Sequence, residues 1–507
     1  MEFPRLRRYL AQSTILPVLL FSVLGFLVMG YHPGAEDDAV YLPAVKAALN
    51  PALYPHDSAF FELQMRTSLF DQWMAHFVHI TKIPVAAAEC ALQFGSIFLM
   101  LWAAWMILGR LFEERTAQWG GLAMLSAMLT LPVAGTALFI ADQYLHPRNP
   151  ATALILFGIT RILARRKWQA VPLLVLAFVL HPLMGALGAS FCVVLTLTLS
   201  APVRAHVLSW RARLIPQSAE AATPAAAVFP FAWLLSKPTP EYVQAVTSRH
   251  WFNVYRWTWY EWIGAIAPLA IFWLVARVAR KQGHETLSRF AIAVFIYGAF
   301  QQAVAMILLG PKALITFSAI EPMRYLQLIY VFMTLILGAY LGQYLLKASA
   351  WRWAAFLLLA NGGMCYAQRQ LFPATEHLEL PGVAPANEWV QAFKWVRENT
   401  PVDAYFAVDP HYMSAPGEDF HSFRALAERS VLADAVKDTS IITKVPQLGP
   451  QWEQQTQAAA GWSHFKHGDF ERLKNEFGVD WVLVSVSQTG GLDCRWHNDS
   501  LSVCKIP

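Results

Sequence analysis

The chain has 507 residues, of which 56% are hydrophobic and only 14% charged, and its net charge is +5. A soluble chain of this length would carry roughly 25% charged residues, so the composition excludes an ordinary soluble enzyme and points to a polytopic membrane protein. The modest positive excess comes with no basic run and no RNA-binding motif, which excludes nucleic acid as a partner.

A membrane span needs roughly 17–25 apolar residues. In chain order, candidate runs fall near 13–31, 84–109, 120–140, 150–163, 169–181, 183–201, 259–279, 288–309, 324–344 and 353–368, with a weaker one at 219–236. Tyr31-His32-Pro33 stands where a signal peptide would show small residues for cleavage, so the first run reads as an uncleaved anchor. Basic residues then orient the chain. Arg5, Arg7 and Arg8 precede the first run, and Arg110 follows the second. Arg161, Arg165, Arg166 and Lys167 form a cluster, as do Arg204, Arg211 and Arg213, and then Arg277, Arg280 and Lys281. Lys347 and Arg352 complete the set. All of them fall inside if 219–236 also crosses, giving about eleven spans, a cytoplasmic amino terminus and an external carboxyl tail.

The expected fold class is therefore mainly α: a polytopic transmembrane helical bundle over residues 1–370, with a first outer loop at 32–83. A C-terminal periplasmic α/β domain is expected over 384–507. The expected location is a bacterial inner membrane, with membrane lipids as partners. In the first loop, 40–49 and 68–80 read as amphipathic helices of the kind that lie along a membrane surface. In the tail, 387–399 and 469–477 read as helices, the second capped by Gly478, and 404–408 and 481–486 read as strands. Cys494 and Cys504 flank a turn at Asn498-Asp499, and a disulfide between them fits an oxidising compartment.

Several polar clusters gather at the outer ends of the spans. Glu36, Asp37 and Asp38 open the first loop, with His56, Asp57 and Glu62 further along. A carboxylate there could take a proton from an attacking hydroxyl, or the acids could cap the helix that follows. Asp142, His146 and Arg148 form a second cluster. Arg148 breaks the inside bias of the basic residues, so it either holds a phosphate or pairs with Asp142. Arg324 faces either Glu321 or a substrate, and His181 stands beside a helix-breaking proline. Arg249 and Arg256 lie in the aromatic stretch 249–262, which reads as an interfacial belt or as a wall for a lipid tail. The loop 416–424 reads as a structural turn.

Glu36-Asp37-Asp38, followed by Tyr41 and the helix through Ala44 and Ala47, resembles the acidic opening of the first loop in the GT-C class of membrane glycosyltransferases. The wider order of elements is similar too: one helix, a long outer loop, many helices, then a soluble tail. The chain is also similar to bacterial membrane proteins that share the Glu-Asp-Asp loop and the tail. The resemblance implies an inverting transfer of a sugar from a polyprenyl-phosphate-linked donor to a glycan, lipid or protein acceptor. It implies Asp37 or Asp38 as the base. Read from their own positions, Glu36, His56, Asp57, Asp142, His146, Arg148, His181, Arg256 and Arg324 are the expected substrate contacts. Relatives carry an acidic pair in the second outer loop, whereas this chain has Asp142 alone, so a divalent cation is left open. The alternatives are a lipid or polysaccharide transporter and a non-catalytic structural subunit.

Overall fold

The computed structural model describes residues 15–200 and 237–507. The expected span at 219–236, and Arg5, Arg7, Arg8, Arg204, Arg211 and Arg213, lie outside the described residues.

Helix α1 (Ile15–Met29) leads into a long connection that carries α2 (Asp38–Leu49), α3 (Ala59–Met65) and α4 (Phe70–Thr81). Helices α5 (Val85–Leu111) and α6 (Arg115–Ala127) follow, then a small hairpin of β1 (Pro132–Val133) and β2 (Leu138–Phe139). Next come α7 (Arg148–Leu163), α8 (Ala170–Leu180) and α9 (Pro182–Leu199), and after them the short α10 (Pro240–Thr247). The bundle closes with α11 (Trp259–Lys281), α12 (Glu285–Leu309), α13 (Leu326–Tyr340) and α14 (Ala350–Leu371).

Five helical stretches among the described residues are long and apolar enough to cross a membrane: α5, α9, α11, α12 and the run Pro322–Leu346 that contains α13. The apolar stretches Ile15–Met29 and Lys167–Leu180 are shorter. The chain is a multi-pass membrane protein with a large extramembrane C-terminal region.

One expected run breaks. The stretch 120–140 does not continue as a helix, because α6 ends at Ala127 and the chain turns into the β1–β2 hairpin. Pro132 lacks the N–H that a helix needs, and Gly135 takes a left-handed φ of 60° with Trp257 against its Cα. Glycines also set how closely two helices pack. A Cβ on Gly120 would lie 2.3 Å from the Gly338 carbonyl oxygen, and one on Gly342 would lie 2.1 Å from the Thr116 carbonyl oxygen. Small residues four apart let α6 and the α13 run meet backbone to backbone, the usual way helices gain contact in lipid.

The C-terminal region begins after α14. Helix α15 (Glu388–Asn399) is capped by the Asn387 side chain, which accepts from the N–H groups of Trp389 and Val390. Strands β3 (Tyr405–Ala407), β4 (Ser430–Val431), β5 (Trp481–Ser485), β6 (Asp493–His497) and β7 (Leu501–Lys505) form one sheet, in the order β4-β3-β5-β7-β6. The β3–β4 and β3–β5 pairs are parallel, while β7 is antiparallel to both its neighbours. Around the sheet lie α16 (Phe423–Ala427), α17 (Asp438–Ile442), α18 (Gly449–Ala458) and α19 (His467–Phe477), the last ended by Gly478 at φ 77°. Cys494 and Cys504 sit opposite each other on β6 and β7 and are disulfide-bonded.

The first connection is built into this region rather than laid along a membrane. Ala35 bridges His421, the Glu36 N–H donates to the Phe420 carbonyl, and the Lys46 ammonium donates to the Ala425 carbonyl. Helix α2 is consequently buried from Asp38 to Val45, which corrects the expectation of a surface helix there. Helix α4 does present Trp73 and Ile80 to the outside, as does Leu69 just before it. A helix of 27 residues is about 40 Å long, so α5 carries its two ends to different faces. The connections near Arg110–Arg115 and Gly283–Leu287 line one shared pocket.

Candidate functional site

A cavity of about 1420 Å³ lies where the helical bundle meets the C-terminal region. Its walls come from the start of the first connection, the β1–β2 hairpin and the chain up to Arg148, the α8–α9 turn, the 249–264 stretch, the segment before α13, and residues 436–445. Much of the lining is apolar, including Val133, Phe139, Phe178, Leu183 and Phe317. Charged groups of both signs interrupt it.

The two candidate acids differ in setting. Asp37 lines the cavity, with its side chain 35% exposed. Its Oδ1 lies 3.1 Å from Lys437 Nζ, and its Oδ2 lies 3.7 Å from His146 Nε2 and 3.9 Å from Arg148 Nη2. Burial alone would raise its pKa, but the charge of Lys437, then the His146 Nε2–H turned toward it and the charge of Arg148, hold it well below the usual carboxylate range. Asp38 turns away, is 2% exposed and is absent from the cavity wall. Its Oδ2 accepts the Gly34 N–H at 2.7 Å, and it abuts the buried Glu89 of α5. Burial pushes the Asp38 carboxyl up to about 6, against the Gly34 N–H that favours the anion.

Glu36 lines the cavity beside Asp37, and its carboxylate also meets the Lys437 ammonium. Lys437 is fixed from its backbone. The Asp434 side chain accepts the N–H groups of Val436 and Lys437, and the Asp434 carbonyl accepts the Trp452 indole N–H at 3.0 Å. The position between the two carboxylates therefore belongs to an ammonium, and the donors do not fit a divalent cation there. Among the described residues, no set of three or more His, Cys, Asp or Glu side chains converges as a metal would require.

The second loop reaches the wall in an extended path. The Asp142 carbonyl accepts from Gln93 at 2.6 Å, and Asn149 ties Gln93 back to the same loop. Arg148 makes a bidentate pair with Asp142, Nε to Oδ2 at 3.0 Å and Nη2 to Oδ1 at 2.7 Å. Of the two roles expected for Arg148, the ion pair is thus present. Its third nitrogen, Nη1, is buried without a hydrogen-bond partner, a donor free for a ligand. The His146 Nδ1 accepts the Arg148 N–H at 2.9 Å, which leaves the ring proton on Nε2, toward Asp37. His181 lines the cavity, caps α9 by accepting from Met184, and tilts against His146. Both imidazoles are held neutral, first by burial and then by the charge of Arg148.

Arg324 also lines the cavity and meets Glu321 at 2.6 Å through Nε. Lys444, from the C-terminal region, reaches the same Glu321 oxygen at 3.1 Å.

Three expected contacts lie elsewhere. Asp57 is buried against Arg424 at 2.5 Å and accepts the Val431 N–H, so it is a strut between the first connection and the sheet. His56 stacks on Tyr405. Arg256 donates to the Thr247 carbonyl at the surface, whereas its neighbour Arg249 lines the cavity. In each case the side chain meets a partner away from the cavity.

Lys437 and Lys444 are the wall residues that the sequence reading passed over. They lie some 400 positions from Asp37, and only their spacing of seven, two helical turns apart, hints at a shared face.

Residues 387–449 match a protein family described as a domain of unknown function (DUF6798). The match covers both lysines together with Arg424, Asp434 and Asp438. No curated protein matches the chain.

Proposed function

We propose that this polytopic membrane protein is an inverting glycosyltransferase of the GT-C kind, which moves a sugar from a polyprenyl-phosphate donor to an acceptor hydroxyl. In this reading about eleven helices cross a bacterial inner membrane. The basic ends near Arg110, Arg165 and Arg280 lie in the cytoplasm, and the C-terminal region, an α/β domain, is periplasmic.

One observation carries the reading. The carboxylate of Asp37, beside that of Glu36, stands in the wall of a large, partly apolar cavity that also displays Arg148, Arg324, Lys437 and Lys444. An apolar lining suits a lipid tail, and cations suit the phosphate that joins the tail to the sugar.

The chemistry follows from that arrangement. The acceptor oxygen bonds to the anomeric carbon while the bond from that carbon to the phosphate oxygen breaks. The electron pair leaves on the phosphate, where Arg148 Nη1 and Arg324 stabilise it. The hydroxyl proton passes to Asp37. With its cations unmatched by a donor, Asp37 is a weak base. An arriving phosphate would offset those same cations and raise the Asp37 pKa, so base strength and donor binding rise together. Asp38, shielded and paired, supports the loop instead.

The transporter alternative has less support. A transporter gathers its polar groups near the middle of the membrane, and here they gather where the bundle meets the C-terminal region.

The test is a lipid analysis of cells that lack the protein. A polyprenyl-phosphate-linked sugar should accumulate, and wild type but not Asp37→Asn should clear it. An unaltered set of lipid-linked sugars in the deletion strain would sink the proposal.

A further inference from the structure

The charges around the cavity do not balance evenly. Arg148 is matched by Asp142 in a bidentate pair. On the side of Glu36 and Asp37, Lys437 meets both carboxylates, Arg148 Nη2 lies 3.9 Å from Asp37 and Arg249 lines the same wall, so the carboxylates there are matched by cations. Glu321 alone serves two cations, Arg324 at 2.6 Å and Lys444 at 3.1 Å, so this side carries a net positive charge.

The positive side is built rather than incidental. Both cations converge on one oxygen, Glu321 Oε2. Glu321 itself sits between two short helical turns in a left-handed conformation, φ 41° and ψ 58°, which a residue with a side chain rarely adopts. Arg324 approaches Glu321 through Nε as an ion pair, yet both that Nε and Glu321 Oε2 are buried without a hydrogen-bond partner. The Lys444 ammonium is otherwise met by the Ala319 carbonyl. Burial holds the Lys444 pKa below its ordinary value, with Glu321 pulling it up and Arg324 pushing it down, so the ammonium is under-compensated where it stands.

We propose that Arg324 and Lys444 form a phosphate-ester subsite, one cation from the helical bundle and one from the C-terminal region. The inference rests on the lipid-phosphate reading above and deepens it. It makes the C-terminal region a component of the donor site, so bundle and tail must be docked for the phosphate to bind. It also sorts the cavity: the anion goes to the positive side at Arg324 and Lys444, and the neutral hydroxyl goes to the carboxylate of Asp37. An incoming phosphate supplies the missing negative charge at Glu321 and leaves Asp37 to accept the proton.

The test uses the full-length protein in a neutral detergent, titrated calorimetrically with dodecyl phosphate and, separately, with inorganic phosphate. Wild type should bind dodecyl phosphate saturably. Lys444→Gln and Arg324→Gln should each weaken binding about tenfold or more, at the cost of one charge-assisted contact. Lys444→Arg should stay within about threefold, and the exposed Lys82→Gln should change nothing. If Lys444→Gln does not fold, the Lys444→Arg and Arg324→Gln pair still decides: normal binding in Arg324→Gln overturns the subsite. Saturable binding that is equally strong in wild type and folded Lys444→Gln overturns the assignment of Lys444 while leaving the lipid-phosphate reading intact. Inorganic phosphate binding as tightly as dodecyl phosphate, and lost in the same variants, supports the subsite and overturns the lipid reading. No saturable binding of either probe to wild type overturns both.

Discussion

Arg424 offers the sharpest test of how the C-terminal region is held. Its guanidinium donates to Asp57 at 2.5 Å and to both oxygens of Asp438 at 2.7 and 2.9 Å. It also lies 5.3 Å above the Phe60 ring. The Arg424, Asp57 and Asp438 side chains are 5%, 1% and 2% exposed, so this is a buried triad of one cation and two anions. Arg424→Met keeps most of the volume and removes the charge, leaving two carboxylates in a dry site. Breaking a buried pair from one side costs about 3–5 kcal/mol. At roughly 3 °C per kcal/mol for a unit of this size, the melting midpoint should fall by roughly 10 °C. The assay is thermal unfolding of the purified protein followed by tryptophan fluorescence. Lys46→Gln is the comparison, because its pair with Glu428 is partly exposed and should cost about 1 kcal/mol or less. Asp438 opens the helix that follows Lys437 and precedes Lys444, so Arg424→Met should weaken dodecyl phosphate binding as well. A shift no larger than that of Lys46→Gln would refute the claim that this triad locks the first connection to the sheet.

Three further outcomes are expected. Asp37→Asn should abolish turnover with little change in melting. Asp38→Asn should retain most activity, because Asp38 is absent from the cavity wall and an amide oxygen can still accept the Gly34 N–H; equal loss in both variants would contradict the assignment. Gly342→Val should cost about 1–3 kcal/mol or prevent folding, since its side chain would press on the Thr116 carbonyl. Gly95→Ala, where a Cβ meets nothing within 4 Å, should be neutral in the same melting assay. The last outcome concerns pH. Burial opposes a charge on His421, but Glu379 and then Glu418 hold its proton up to about 9. A histidine raised above its unfolded value of about 6.5 contributes stability that is full below that value and lost as pH rises through the folded pKa. The melting gap between wild type and Glu379→Gln should therefore shrink from pH 7 to about 9.5, and a constant gap would contradict the pairing.

Much of the architecture was legible because it rests on local rules. Apolar runs of membrane length appeared as helices, Asn387 and Gly478 marked helix ends, and the turn at Asn498-Asp499 brought Cys494 to Cys504. The failed run at 120–140 also carried its own warning, since Pro132 and Gly135 stood inside it. The site was harder to read because its components meet only through the fold. The acidic triplet stood out as a cluster, but which acid faces the cavity depends on the left-handed turn at Glu36 and on Glu89, an acid inside an apolar helix and so a signal visible in the sequence. Asp57 looked like a site residue because its partner, Arg424, lies 367 positions away. Lys437 and Lys444 gave almost no signal for the same reason.

The central claim is that this cavity breaks the bond between a sugar and a lipid phosphate, with Asp37 taking the proton. The most direct measurement is release of free polyprenyl phosphate by purified protein given a panel of polyprenyl-phosphate-linked sugars and an envelope extract as acceptor, read by mass spectrometry. The account predicts release from one donor with wild type and none with Asp37→Asn. Release that is absent with every donor, or undiminished in Asp37→Asn, would contradict it.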